Sequence, residues 1–138
     1  MIKNREIEIK LRILSAAEVI EKLLAAGAKD RGEIFQCDIL YDYADGNKTF
    51  GTFDQALRLR IEKGKGSPKG IITFKGTPHI DNSGKKTRDE FETEVDDPKA
   101  LEQILFSIGF KEAMRIKKKR HEFELDDLKI SGRNQTLF

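Results

Sequence analysis

The sequence is poor in cysteine and histidine, carries almost no net charge, and has no long apolar run. Cys37 is the only cysteine among 138 residues, so neither an intramolecular disulfide nor a cysteine-built metal cluster can form. The two histidines, His79 and His121, have no second ligand at metal-binding spacing. No apolar stretch approaches the roughly 20 residues that cross a bilayer, and Met1 to Glu6 runs straight into charge with no secretory core. Lys and Arg number 26 against 24 Asp and Glu, a net charge of +2, which lacks the basic excess of a general nucleic-acid binder. The expectation is a cytoplasmic protein with neither a membrane nor a nucleic acid as partner.

What the chain has in quantity is charge, at 36% of residues, beside 38% hydrophobic, in a length that suits one domain. The charge is patterned. From Glu6 to Ile13, Glu6, Glu8, Lys10 and Arg12 alternate with Ile7, Ile9, Leu11 and Ile13, which predicts a strand with one charged and one apolar face. The same alternation predicts strands at Ile34 to Tyr41, Leu57 to Glu62, Ile71 to Lys75, Arg88 to Glu94 and Ile116 to Leu125. Two helices interrupt them. One opens with the capping-box spacing Ser15 to Glu18, is striped by Val19, Ile20, Leu23 and Leu24, and stops at Gly27. The other opens at Asp97-Pro98, is striped by Leu101, Ile104, Leu105 and Ile108, and stops at Gly109. Residues 64–70 read as a flexible hairpin loop and residues 76–86 as a polar loop.

A shift of 82 residues, the distance from Gly27 to Gly109, superposes Glu8 on Glu90, Val19 on Leu101, Leu23 on Leu105, Lys29 on Lys111 and Ile34 on Ile116. Each half then reads strand, helix, strand, either as a true repeat or as two similar units without common origin. The hairpin at 57–75 in the first half would recur at about 139–157, beyond Phe138.

Pooled, the strands can turn Lys10, Arg12, Arg58, Arg60, Lys75, Arg88, Lys118 and Arg120 in one direction, with Glu6, Glu8, Asp38, Glu62, Glu90, Glu92 and Glu94 among them. For any single strand this is ordinary for a sheet with one wet face and cross-strand ion pairs. Arg58 and Arg60, one strand-step apart, are harder to accommodate, because they repel unless an anion lies between or beside them. Arginine is also the side chain suited to bidentate phosphate contacts. A sheet curled until its charged faces met would hold a polyphosphate, with carboxylates for an accompanying divalent cation. Other features are plain: Cys37 reads as a small core residue, the glycines at 64, 66 and 70 fit no phosphate-loop pattern, and Lys117 to Arg120 is split by strand alternation.

Glu6-Ile7-Glu8-Ile9-Lys10 resembles the E-x-E-x-K signature that opens CYTH domains. The resemblance continues in order through Gln36 and Asp38 to Tyr41, Leu57 to Arg60, Thr73 to Gly76, Arg88 to Glu92, and Lys118 to Arg120. It implies an α+β fold, an antiparallel β-barrel forming a triphosphate tunnel, incomplete at the C-terminus, with two helices packed outside. It also implies metal-dependent processing of a nucleoside or organic triphosphate. Class IV adenylate cyclase chemistry, ATP to cyclic AMP and pyrophosphate, is the first reading; a thiamine or inorganic triphosphatase is the second; a binding protein without catalysis is the third. Carried over, Lys10, Arg58, Arg60, Lys75, Arg88, Lys118 and Arg120 contact phosphate, the first four of these acting in catalysis. Glu6, Glu8, Glu90 and Glu92 hold Mg2+ or Mn2+, and Asp38 orients neighbouring cations.

The family pattern normally continues with a further acidic residue, a turn and an E-x-E strand. Here Leu128 to Phe138 has no carboxylate. The expectation is a single domain over residues 1–138 that is truncated, or altered by a frame change, at its C-terminus. A shortened functional variant, or completion of the tunnel by another chain, stays open. An exposed sheet edge would suit a homodimer.

Overall fold

The computed structural model describes residues 12–13, 15–47 and 49–137. The predicted strand at Glu6 to Ile13, and with it Glu6, Glu8 and Lys10, lies outside these residues except for its last two positions. Along the described chain run α1 (Ala16–Ala25), β1 (Lys29–Tyr43), a 3-10 turn (Gly51–Phe53), β2 (Ala56–Lys63), β3 (Lys69–Lys75), β4 (His79–Ile80), β5 (Lys86–Thr87), β6 (Glu90–Val95), α2 (Pro98–Ser107), β7 (Phe110–Leu125) and β8 (Leu128–Leu137).

Both helices begin as their sequences dictate. Ser15 Oγ accepts from Glu18 N–H at 3.4 Å and Asp97 Oδ1 accepts from Ala100 N–H at 3.0 Å, each satisfying an amide that the first turn leaves without a partner. Gly27 and Gly109 follow the helix ends at φ of 91° and 103°, where a side chain would be strained. The 82-residue shift maps Ala16–Ala25 onto Pro98–Ser107 residue for residue. It also maps β1 onto β7, which pair antiparallel with Gln36 directly opposite Lys118. Those two positions are 82 apart, so equivalent residues of the two halves meet there, and a local two-fold relates β1 to β7 through that pair.

Six strands form one antiparallel sheet in the order β6-β3-β2-β1-β7-β8, and β4 pairs with β5 in a separate small hairpin. Among the described residues the sheet does not close. A barrel needs every strand to have two neighbours, and among the described residues β6 pairs only with β3 and β8 only with β7. The expected β-barrel is therefore corrected to an open α+β sheet. The tail that carried no recognisable motif is itself a strand. Leu125 pairs with Leu128 across Asp126-Asp127, with Asp126 in the left-handed region at φ 52°, which aspartate tolerates better than most residues.

The core lies on one face of this sheet. Ile39, Tyr41, Leu59 and Leu105 are buried there, with Cys37, Leu57, Ile61, Ile72, Leu101 and Phe110 packed against them. Leu105 and Leu101 are the inward positions of the α2 stripe; Ile104 and Ile108, also counted in that stripe, are exposed. Tyr43, Phe50 and Phe110 extend the core as an aromatic cluster, ring centroids 4.6–5.9 Å apart. α1 buries no residue fully. Among the described residues, no helix is long and apolar enough to cross a membrane.

Candidate functional site

Register puts the charges of four neighbouring strands on the other face. Asp38 of β1 stands opposite Arg60 of β2, and Gln36 opposite Glu62. Arg58 of β2 stands opposite Thr73 of β3, and Thr73 opposite Glu92 of β6. Period-two alternation fixes which side chains share the face; the ladders decide which of them touch.

Asp38 is the centre. It is 2% exposed and accepts Arg60 Nε at 2.7 Å on Oδ1, Arg60 Nη2 at 2.8 Å on Oδ2, and Lys118 Nζ at 2.7 Å on Oδ2. Burial alone would push its carboxyl up, but the hydrogen bonds from Arg60 and Lys118 outweigh it and hold the pKa down at about 2. The same hydrogen bond to Asp38 raises Arg60 against the opposing effect of burial. One carboxylate thus holds two cations from two strands.

Arg58 is held more loosely. Its Nη2 reaches Thr73 Oγ1 at 3.5 Å and Glu92 Oε1 at 3.9 Å, while Thr73 Oγ1 donates to that same Glu92 oxygen at 2.8 Å. Arg58 Nε and Arg120 Nε are enclosed without a hydrogen-bond partner among the described residues. Lys75 and Glu90 are register neighbours on β3 and β6. Arg88, just before β6, is held by the 3-10 turn: Nη2 donates to the Asp54 carbonyl at 2.7 Å and lies 3.0 Å from the Asp54 carboxylate. Lys86 approaches that carboxylate at 3.8 Å, and Thr77 Oγ1 donates to Phe53 O at 2.9 Å. These contacts tie the loop before β6 to the turn before β2.

The structure therefore brings together Asp38, Arg60 and Lys118, and, beside them, Arg58 and Glu92. Arg88 is separately engaged by Asp54, and Arg120 has Ile34 and Arg133 as its register partners. Magnesium binding is not borne out by this geometry: among the described residues no group of three or more His, Cys, Asp or Glu side chains is placed to hold a metal ion. Glu90 and Glu92 lie along the exposed edge strand β6, and Glu92 is engaged by Thr73. Sequence reading placed Glu62 among the carboxylates of the charged face and Thr73 within a family-like run but made neither a site residue, and it passed over Asp54. Thr73 shares the parity of Lys75 and could have been read from it; Asp54 sits in a turn where no periodicity applies.

The opposite face holds a cavity of about 300 Å³ beside α2, lined by Tyr41, Glu102, Gln103, Phe106, Phe110, Glu112 and Arg115, none of them among the expected site residues. Arg115 pairs there with Glu102 at 3.2 Å and with Glu112. Burial, followed by the charge of Glu102, pushes the Tyr41 hydroxyl up to about 12. His121 is a satisfied structural residue, with Nε2 2.8 Å from Asp30 and its ring stacked on Phe123.

These features define an α+β protein whose open antiparallel sheet carries a core on one face and interleaved cations and carboxylates on the other. The chain belongs to the CYTH-domain family, whose pattern matches residues 4–132. It is 36% identical over 126 residues to a provisionally named adenylate cyclase of Methanocaldococcus jannaschii, covering 91% of this chain and 67% of that protein. Its fold is similar to that of the PH1819 protein from Pyrococcus horikoshii OT3, at 28% identity and a TM-score of 0.65, covering 88% of this chain and 67% of the other. It is also similar in fold to a Hippeastrum protein named provisionally as an adenylyl cyclase and described as having a dominant triphosphatase activity. That likeness, at 16% identity and a TM-score of 0.58, covers 91% of this chain and 70% of the other and bears on the fold alone. The chain spans about two thirds of the length of the first two relatives.

Proposed function

We propose that this protein binds a nucleoside or organic triphosphate on the polar face of its sheet and processes it. The observation that carries the reading is a group of basic side chains held in place around one buried carboxylate. Asp38 neutralises one of the two cations it holds, and Arg58 beside them has only a 3.9 Å approach to Glu92. Cations held in place by a buried partner bind phosphate oxygens with less loss of side-chain freedom than mobile ones. Arg58, Arg60 and Lys118 form the centre of this cradle, with Lys75, Arg88 and Arg120 at its margins.

For the reaction we adopt the class in the name of the M. jannaschii relative. The ribose 3′-oxygen of ATP attacks the α-phosphorus, the bond from that phosphorus to the bridging oxygen breaks, pyrophosphate leaves, and the hydroxyl proton passes to solvent. No step is assigned to a metal, because the described residues supply no ligand group for one.

The test is thermal unfolding with tripolyphosphate, ATP and thiamine triphosphate, followed by product analysis, each with and without added Mg2+ or Mn2+. Ligand at about 100 times its dissociation constant adds about 2.7 kcal/mol of stability. Stabilisation by tripolyphosphate that Arg58→Ala abolishes supports the cradle, and cyclic AMP with pyrophosphate supports the reaction. Inorganic phosphate as the product replaces cyclisation with hydrolysis. Binding without product leaves a triphosphate-binding protein, and no stabilisation by any ligand overturns the reading.

A further inference from the structure

Gln36 is 7% exposed, and its Nε2 donates to Glu62 Oε1 at 2.7 Å. An ionised carboxylate only accepts, so the amide nitrogen must face Glu62 and the amide oxygen must face away. That oxygen, Oε1, is enclosed and has no hydrogen-bond partner among the described residues. Two cations beside it are held by Asp38 instead. Lys118, directly across the β1–β7 ladder, gives Nζ to Asp38, and Arg60 gives Nε and Nη2 to the same carboxylate. Native proteins keep few buried acceptors without donors, and each one calls for a partner.

The missing partner must bring a proton to donate, which phosphate oxygens at neutral pH supply poorly. Gln36 and Glu62 therefore differ in kind from the cations further along the face. Arg58 and Glu62 are four residues apart on β2, about 13 Å of extended strand. A ligand whose phosphates lie on Arg58 and Arg60 can bring its other end to Gln36. Oε1 is enclosed, so a ligand reaches it by displacing a neighbour.

Resting on the triphosphate reading above, we propose that Gln36 and Glu62 form an acceptor subsite that takes an amino group on the organic part of the ligand. Gln36 is then a specificity-determining residue, separate from the residues that hold phosphate.

The experiment is calorimetric titration with tripolyphosphate, ATP, and purine riboside triphosphate, which is ATP without its amino group. Wild type should bind ATP about tenfold more tightly than purine riboside triphosphate, the amino group supplying the absent donor. Gln36→Met keeps the length and removes the acceptor, and should bring the two within about twofold while leaving tripolyphosphate affinity unchanged. Glu62→Gln, which lets the Gln36 amide turn over, should lower the ATP preference partway. Equal wild-type affinities for ATP and its deaminated analogue overturn the subsite whether or not any variant folds. A preference that survives Gln36→Met overturns it, as does a matching loss of tripolyphosphate affinity in that variant. Failure of wild type to bind tripolyphosphate overturns the cradle itself, and that arm reports on the cradle independently of the amino group.

Discussion

Asp38 and Arg60 meet in a two-pronged pair, Nε on Oδ1 at 2.7 Å and Nη2 on Oδ2 at 2.8 Å, with the carboxylate almost wholly shut off from solvent. A pair in that setting is costly to break from one side, because the remaining charge stays buried without a counter-charge. Lys118 makes the dependence sharper, since it leans on the same carboxylate. Asp38→Ala should therefore lose about 3–5 kcal/mol of stability, read as a drop in urea midpoint. Arg58→Ala, on the same face but loosely held, should lose far less. Equal losses would mean that Asp38 does not anchor the face.

Acid should expose the same pair. The folded Asp38 carboxyl ionises at about 2, below its ordinary 3.8. Its contribution is fully present above about pH 4 and is lost as pH falls through about 2, and it is on the order of 2 kcal/mol. Urea midpoints at pH 7, 4 and 2.5 should fall more steeply for wild type than for Asp38→Asn across the last interval. Parallel curves would remove Asp38 from the acid response.

Gly70 is where β3 meets the start of α2. A Cβ there would lie 2.7 Å from Pro98 Cγ, 3.0 Å from the Val95 carbonyl oxygen and 3.2 Å from Val95 Cβ. Gly70→Ala should cost about 1–3 kcal/mol by overpacking, measured as a fall in thermal midpoint. Gly64→Ala, whose new Cβ comes no closer than 3.7 Å to Ile34 Cγ1, serves as the comparison and should cost much less.

Asp54 anchors Arg88 with its main-chain oxygen and carboxylate together, and Lys86 adds to the tie. The carboxylate is largely exposed, so Asp54→Asn should change global stability by less than about 1 kcal/mol. Trypsin should nonetheless cut at Lys85 or Lys86 several-fold faster in that variant, because the loop's charged tether is gone. An unchanged cleavage rate would show that the backbone contacts suffice.

The elements were legible because each has a local cause. Ser15 and Asp97 cap, Gly27 and Gly109 stop, and alternation from Leu57 to Glu62 separates an apolar from a charged face. The 82-residue shift even placed α1 on α2. Three strands escaped that logic. β4 and β5 are two residues each, too short for a period, and β8 depends on the left-handed turn at Asp126, which composition did not flag.

The sequence by itself determined which side chains share a face, because side-chain parity along a strand is a local property. It also determined the family, through motifs kept in order along the chain. Partnership was decided by tertiary structure alone. Nothing local says that Asp38 takes both Arg60 and Lys118, that Arg88 belongs to Asp54, or that Gln36 keeps an oxygen without a donor, since register sets these pairings across strands far apart in sequence. Closure was decided at the same level: among the described residues β6 and β8 each have one neighbouring strand, and the sheet they end is open.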